Sequence, residues 1–196
     1  MPVIPGILAS LRLFLGCACL CGLLYPALLT LFCQAVWPWQ AGGSLLVKEG
    51  QVTGSLLLGQ PFSSARYFHS RPSASNNDPG ASGGSNWGPT SSQWRAALQQ
   101  RIVTAGATTA NPVPADLVMA SGSGLDPHIS PEAARFQIPR VAHARQLSEE
   151  TLQRLVKQVT AKPIMRLFGA KRVNVLQLNL ALDALETSSG HSAPPP

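Results

Sequence analysis

The sequence predicts an α+β protein in which one N-terminal transmembrane helix is followed by a single mixed α/β domain outside the membrane. Two observations predict this class. Residues 13–36 contain no charged side chain, whereas the remainder of the 196-residue chain is polar. That remainder mixes short apolar runs of strand length with longer segments whose apolar residues recur at helical spacing, and it contains no tandem repeat.

Composition excludes two broad classes of protein. Hydrophobic residues make up 45% of the chain and charged residues 12%. This is too apolar for a disordered chain and too poor in charge for a typical fully soluble one. The formal net charge is +6, and the basic residues of the predicted helices are spread out rather than clustered with aromatics: Arg135, Arg140, Arg145 and Arg154. Such spacing favours solvated or partner-facing surfaces and argues against binding to nucleic acid.

Residues 13–36 are long enough to cross a membrane. As a helix they would reach roughly 36 Å, against a hydrocarbon core of about 30 Å. Trp37-Pro38-Trp39 follows the run, where aromatic rings prefer the level of the lipid headgroups. The alternative is a cleaved secretory signal, but its apolar stretch is about 7 to 15 residues long, and Cys33-Gln34-Ala35 is a poor cleavage site. We therefore expect an uncleaved single-pass anchor.

The positive-inside rule gives a weak prediction of orientation. Arg12 and the chain amine lie on one side of the anchor and Lys48 on the other. This bias favours a cytoplasmic amino terminus, so the main domain is expected outside the cytoplasm. All four cysteines lie within the apolar run: Cys17, Cys19, Cys21 and Cys33. No disulfide framework and no thiolate metal site are therefore expected in the domain.

Strands are predicted at four places in the extramembrane part. The apolar runs 44–48 and 52–58 flank a short segment containing Gly50, which is typical of a hairpin. Residues 116–120 form a short apolar run that predicts a buried strand. Residues 172–180 alternate apolar and polar side chains, as expected of a half-buried strand.

Helices are predicted where a serine precedes a segment of helical spacing. Ser91 or Ser92 can cap a helix that ends near residue 104. Ser130 can cap a second helix over 130–144, and Ser148 can cap a third. Pro139 is expected to bend or interrupt the second helix. Between the hairpin and the first of these helices, residues 71–90 are dense in Gly, Pro, Ser and Asn, which predicts a long loop.

The predicted organisation has four parts: a short N-terminal segment 1–12, the membrane helix 13–36, one α+β domain over 40–186, and a disordered tail over 187–196 that ends in three prolines. A domain of this length can bury its own core.

Two motifs invite a chemical interpretation beside a structural one. Ser82-Gly83-Gly84-Ser85-Asn86 offers successive backbone amides that can cradle a phosphate, although no lysine follows in the Walker arrangement, and a structural turn is the simpler interpretation. By residue type, a hydrolase triad could consist of Asp126, His128 and either Ser121 or Ser123. No G-x-S-x-G elbow is present, and the same residues are common in turns. The histidines lack metal-ligand spacing, so no metal site and no catalytic set are expected.

Several longer strings resemble one family closely. They are YFHSRPSA at 67–74, SGGSNWGPT at 82–90 and SGSGLDPHISPEAA at 121–134, extended by QIPRVA at 137–142 and RVNVL at 172–176. In this order, behind an N-terminal anchor, they resemble the C subunit of the bacterial Kdp potassium-transporting P-type ATPase, the KdpC family.

The resemblance implies an accessory subunit of the bacterial inner membrane without hydrolytic activity. Its implied partners are a potassium-channel-like subunit, a P-type ATPase subunit and a small single-helix subunit. It implies a role in assembly and as a catalytic chaperone, which raises the ATP affinity of the pump subunit in a transient ternary complex. Gln137 is the implied nucleotide contact, with Ser82, Gly83, Gly84, Ser85 and Asn86 as its phosphate neighbours.

Two alternatives to this function stay open at the level of sequence. One is a membrane-anchored extracytoplasmic hydrolase that uses a serine near 121–128. The other is a gate or stabiliser on the potassium side of the complex with no nucleotide contact, because a domain outside the cytoplasm cannot touch a cytoplasmic ATP site.

Overall fold

A computed structural model describes residues 3–48, 50–163 and 169–190. The chain divides into two compact units, Met1–Ser55 and Leu56–Pro196. The hairpin expected at the start of the extramembrane domain belongs to the first unit.

The first unit is dominated by a long apolar helical segment. It consists of α1 (Val3–Cys19), a π-helical turn (Leu20–Leu24), α2 (Tyr25–Val36) and the short α3 (Pro38–Ala41). By length and composition, Gly6–Val36 can cross a membrane, with a mean hydropathy of 2.2 and no burial inside the protein. The predicted N-terminal apolar helix is therefore present. It begins earlier than residue 13, so Arg12 lies within the helix instead of preceding it.

The π-helical turn has a local cause in the sequence. Pro26 has no backbone N–H, so in a regular α-helix the carbonyl of Gly22 would lose its partner and the proline ring would clash with it. Here the N–H of Tyr25 donates to the carbonyl of Leu20, five residues earlier. The wider turn accommodates Pro26 without ending the helix.

The predicted hairpin is present. Strand β1 (Leu45–Lys48) pairs antiparallel with β2 (Gln51–Ser55), and a bulge falls between Leu46 and Val47. The Ser55 hydroxyl donates to the carbonyl of Gly43 over 2.7 Å and ties the end of β2 to the chain before β1. The second strand ends at Ser55, three residues earlier than predicted.

The second unit packs helices against a minimal sheet. Its elements are α4 (Ser92–Thr104), a 3₁₀ turn (Ala115–Leu117), β3 (His128–Ile129), α5 (Pro131–Arg145), α6 (Glu149–Val159), β4 (Val173–Asn174) and α7 (Val175–Gly190). β3 and β4 pair antiparallel. The core joins α5, α6 and α7 with β3, β4 and Phe68, which precedes the long loop. Its fully buried large side chains include Phe68, Ile138, Val141, Leu152, Leu178 and Leu182.

The three predicted serine caps are confirmed. Ser91, Ser130 and Ser148 each accept a hydrogen bond from the backbone N–H three residues later and begin α4, α5 and α6. Pro139 lies inside α5 without interrupting it. Its ring is on the exposed side, where water can solvate the carbonyl that loses its helical partner.

The strand predicted at 116–120 is wrong. Residues Ala115–Leu117 form a 3₁₀ turn in which the N–H of Leu117 donates to the carbonyl of Pro114 over 3.0 Å. The carboxylate of Asp116 accepts the N–H of Ser130 over 2.8 Å and so ties the turn to the start of α5. A run of only a few apolar residues does not distinguish a strand from a helical turn.

The strand predicted at 172–180 is wrong beyond its first residues. Val173 and Asn174 form β4, Arg172 forms an isolated antiparallel bridge with Ala161, and α7 begins at Val175. The side chain of Asn174 accepts the N–H of Gln177 over 3.0 Å, as an N-cap does. α7 continues to Gly190, past residue 187 where the tail was expected to begin. Residues 191–196 lie outside the described residues.

Candidate functional site

Two buried amide side chains bind the backbone of Phe68 and His69, near the start of the 67–74 motif. The Oδ1 atom of Asn179 accepts the N–H of Phe68 over 2.9 Å, and its Nδ2 donates to the carbonyl of Phe68 over 2.9 Å. In the same way, the Oε1 atom of Gln137 accepts the N–H of His69 over 2.8 Å, and its Nε2 donates to the carbonyl of His69 over 3.1 Å. The two side chains come from α7 and α5, so this segment is held by bonds of the kind that a neighbouring strand would supply.

Gln137 therefore has a structural task that the sequence did not reveal. Its side chain is buried, and beyond the two bonds to His69 its Nε2 donates to the carbonyl of Ala133 and its Oε1 accepts from Arg140. A side-chain amide has two donors and one acceptor oxygen with two lone pairs, so this set of partners uses all of them. A nucleotide that bonded Gln137 would have to displace one of these partners.

Two arginines of α5 also bind the backbone of this segment. Arg140 donates to the carbonyls of Ala65 and Tyr67 over 2.7 Å and 3.0 Å. Burial lowers the pKa of the Arg140 guanidinium, because a charge is less stable away from water. The arginines were expected on solvated or partner faces, and for this residue the structure adds an internal role.

Arg145 is the clearest correction to that expectation. Its side chain is only 1% exposed, donates to the carbonyl of Arg66 over 2.7 Å, and lies 4.7 Å from the centre of the Tyr67 ring. It pairs with Asp183 over 2.8 Å and with Glu186 over 3.0 Å. Desolvation works to lower its pKa, but the two carboxylates outweigh this and the pKa of Arg145 is raised.

The 121–128 string forms a turn, residues 121–126, on which the long loop packs through backbone contacts. The N–H of Ser121 donates to the carbonyl of Pro72, and the N–H of Gly83 donates to the carbonyl of Ser123, over 2.9 Å and 2.8 Å. Gly124 has φ +70°, and a Cβ there would lie 2.6 Å from the carbonyl oxygen of Gly83. Only glycine satisfies both conditions, so the glycines in these motifs serve the close approach of two loops.

This packing bears directly on the predicted phosphate cradle at Ser82–Asn86. The Ser82 hydroxyl donates to the carbonyl of Ser123 over 3.0 Å, and the N–H of Gly83 is bonded to the same carbonyl. A Cβ at Gly84 would lie 2.9 Å from the carbonyl oxygen of Gly122. Two of the donors expected to face a phosphate therefore face the 121–126 turn.

The hydrolase arrangement lacks its central contact. The hydroxyls of Ser121 and Ser123 accept backbone N–H groups of the same turn, and within the described residues neither serine is hydrogen-bonded to His128. His128 instead lies beside Asp126, whose other carboxylate oxygen pairs with Arg71 over 3.2 Å. The hydrogen bond from His128 is the main cause of the lowered pKa of Asp126, with Arg71 adding to it and burial opposing it. This geometry orders a turn and activates no nucleophile.

A cleft of about 520 Å³ lies between α4 and α5. Gln137 and Arg140 line it from α5, and Arg101 lines it from α4. The residues 82–86 do not line this cleft, so Gln137 and the predicted phosphate cradle are not brought together there. Sequence reasoning missed Arg101, whose only signal was its place on a helix that carries both arginines and apolar residues.

Comparison with known proteins identifies the family. The family model described as "KdpC: K+-transporting ATPase, c chain" matches residues 7–184. The chain belongs to the KdpC family. The match spans the N-terminal helical segment from residue 7, the strings at 67–74, 82–90 and 121–134, and most of α7, so the family resemblance of the motifs is confirmed.

Relatives in the KdpC family are similar over most of their length. A potassium-transporting ATPase KdpC subunit of Gemmatimonas aurantiaca is 49% identical over 173 residues, which cover 86% of this chain and 87% of the relative. The KdpC subunit of Geotalea uraniireducens is 48% identical over 182 residues, covering 90% and 96%. That of Methylococcus capsulatus is 51% identical over 170 residues, covering 84% and 90%.

Proposed function

We propose that this chain is a non-catalytic accessory subunit of an ATP-driven potassium transport complex, needed for assembly of the complex and acting to raise the ATP affinity of the hydrolysing subunit. The observation that carries the proposal is the similarity to relatives named as potassium-transporting ATPase subunits over at least 84% of this chain. The proposed partners are a potassium-channel-like subunit, a P-type ATPase subunit and a small single-helix subunit in the bacterial inner membrane.

The proposed contact with nucleotide rests on Gln137, which lines the cleft between α4 and α5. ATP would act there in a transient ternary complex with the pump subunit. The proposed phosphate neighbours, Ser82–Asn86, lie outside the cleft lining, so the phosphates would have to extend beyond the cleft to reach them. Arg101 and Arg140 line the same cleft and would favour an anion. This contact requires the domain to reach the ATP site of the hydrolysing subunit.

A second candidate function is stabilisation of the complex on the potassium side without any nucleotide contact. It is favoured by the bonding of Gln137, whose amide is fully engaged with His69, Ala133 and Arg140. The N–H of Gly83 is likewise engaged with Ser123. An extracytoplasmic domain, which the charge bias around the anchor favours, fits this candidate.

The deciding experiment measures potassium-stimulated ATPase activity of the complex purified with and without this chain. The proposed function predicts that the complex without it either falls apart or has a raised KM for ATP. Normal assembly together with an unchanged KM would refute it. Loss of assembly with an unchanged KM in the surviving complex would favour the second candidate.

Nucleotide contact is tested by Gln137→Ala beside Asn179→Ala as a matched control. Both side chains grip the same backbone segment, but only Gln137 lines the cleft. If Gln137 contacts nucleotide, only Gln137→Ala should raise the KM for ATP. Equal effects of the two substitutions would mean that Gln137 acts through the fold alone.

A further inference from the structure

Helix α4 is more exposed than α5 and α6. None of its residues is buried, whereas α5 and α6 each bury several. Val103 is 70% exposed, and the apolar face formed by Trp94, Leu98 and Ile102 is only half-buried. α4 therefore leaves some apolar side chains partly uncovered, as surfaces that other proteins contact often do.

One face of α4 forms a wall of the cleft opposite α5. Ala97, Arg101 and Thr104 recur at helical spacing on this face, and Phe136 and Arg140 line the other side. The small side chains leave room beside the arginine, and Phe136 supplies an apolar surface. At about 520 Å³ the cleft has the size of sites that hold ligands.

The positive charge of the two arginines that line the cleft is not balanced by a carboxylate in its lining. Arg66, Arg71, Arg135 and Arg145 each pair with a carboxylate. In contrast, no carboxylate of the described residues forms an ion pair with Arg101 or Arg140, and no acidic residue lines the cleft. Arg101 donates to the carbonyl of Val118 over 2.9 Å, which positions its guanidinium while leaving other N–H donors available.

We propose that the cleft between α4 and α5 binds a segment of a partner polypeptide that carries a carboxylate side chain beside apolar side chains. The guanidinium of Arg101 receives the carboxylate, since its planar fork matches two carboxylate oxygens. The apolar neighbours pack on Phe136 and Leu117, which also lines the cleft. A polypeptide segment fits better than a small inorganic anion because Ala97, Ala105, Leu117 and Phe136 also line the cleft, and such an anion would leave their apolar surface uncovered.

This inference rests on the proposed function, because the partner is a subunit of the potassium transport complex, but it is an alternative to the nucleotide contact proposed for the same cleft. The first test co-expresses the tagged full chain with the other subunits and measures how much of them is co-purified. Arg101→Glu is expected to lower the yield about tenfold or more, since it replaces attraction by repulsion at the centre of the contact. Arg95→Glu, on the exposed side of the same helix, is the matched control and should stay within about twofold of the wild type.

A second pair of variants covers the case in which Arg101→Glu does not fold, as judged by circular dichroism. Thr104 is exposed and its hydroxyl bonds only within α4, to the carbonyl of Gln100. Thr104→Glu places a negative charge at the cleft and should weaken association, whereas Gln99→Glu, exposed elsewhere on α4, should not.

A photo-crosslinking residue at position 104 then locates the partner. The expected product is a subunit peptide that contains Asp or Glu next to apolar residues, and exchanging that acid for Arg should restore binding to the Arg101→Glu variant. If association is unchanged in both Arg101→Glu and Thr104→Glu, the inference is overturned but the proposed function is not. Crosslinking to bound ATP and to no subunit would also overturn it. If the wild-type chain associates with no subunit, both the inference and the proposed function fail.

Discussion

At the scale of the residue, buried polar side chains replace regular secondary structure in holding the segment 66–69, which precedes the long loop. Asn179 and Gln137 bind both backbone groups of Phe68 and His69, and Arg145 binds the carbonyl of Arg66. A buried backbone group without a partner costs free energy comparable to a lost hydrogen bond. The string at 67–74 is therefore explained by the support its backbone receives, in addition to any contact with a partner.

Replacing either amide should therefore destabilise the second unit. Gln137→Ala and Asn179→Ala each leave an N–H and a carbonyl of the segment without a partner, which costs about 1–3 kcal/mol for an unsatisfied buried group. Chemical unfolding of the full chain in detergent measures the change. Gln153→Ala, at an exposed position of α6, should change the free energy of unfolding by less than about 0.5 kcal/mol. An equally small change in Asn179→Ala would contradict the assigned role of the amides.

His69 predicts a dependence of stability on pH. Burial is the main cause of its lowered pKa, the charge of Arg140 adds to it, and a bond to the carbonyl of Ser64 opposes it. The unfolded chain, with a pKa of about 6.5, therefore binds a proton at a higher pH than the folded chain does. Stability from this group is full above pH 6.5 and is lost as the pH falls toward the folded pKa.

The measurement is the unfolding midpoint of the full chain between pH 7.5 and 5. We expect His69→Gln to flatten the decline with acidification, while His143→Gln, at an exposed position, should leave its slope as in the wild type. Identical slopes in the wild type and His69→Gln would contradict a lowered pKa at this position.

At the scale of the element, the helix caps and the hairpin were predictable from the sequence, whereas the structures formed by the short apolar runs at 116–120 and 172–180 were not. Ser91, Ser130 and Ser148 were correctly identified because an N-cap is a local interaction between neighbours in sequence. The alternation at 172–180 was misleading because Val175, Leu178 and Leu182 also fit a helix, at i, i+3 and i+7. In a strand Asn179 would lie on the polar side, whereas in α7 it is buried and binds the backbone of Phe68.

The start of α7 can be tested through Asn174, whose side chain has two tasks. Its Oδ1 accepts the N–H of Gln177, and its Nδ2 donates to the carbonyl of Leu56 over 2.8 Å. Asn174→Ala removes both and should cost about 1–2 kcal/mol from the lost cap alone. Asn174→Ser can keep the cap and loses the bond to Leu56 without placing a charge there, so it should be milder in the same unfolding experiment. If both substitutions cost the same, the cap contributes little to α7.

At the scale of the whole molecule, the family could be identified from the sequence, but the distribution of roles among its residues could not. The strings at 67–74, 82–90 and 121–134 identify the family, and they meet in the folded chain as loops that support one another. Which glycine approaches which carbonyl depends on contacts between residues about 40 positions apart, such as Gly83 and Ser123. For the same reason the cleft between α4 and α5, with Arg101 on one wall, has no signature in either helix alone.

The orientation of the whole molecule decides between the two candidate functions, because only a cytoplasmic domain can reach cytoplasmic ATP. Arg12 and the chain amine against Lys48 predict that the domain lies outside. We expect a single cysteine at Thr90 or Gln153, both exposed, to react with an impermeant maleimide in intact spheroplasts when the four native cysteines are replaced. Lysed spheroplasts are the control for reactivity. Labelling only after lysis would reverse the predicted orientation, place the domain beside the ATPase machinery and make direct nucleotide contact by Gln137 the stronger candidate.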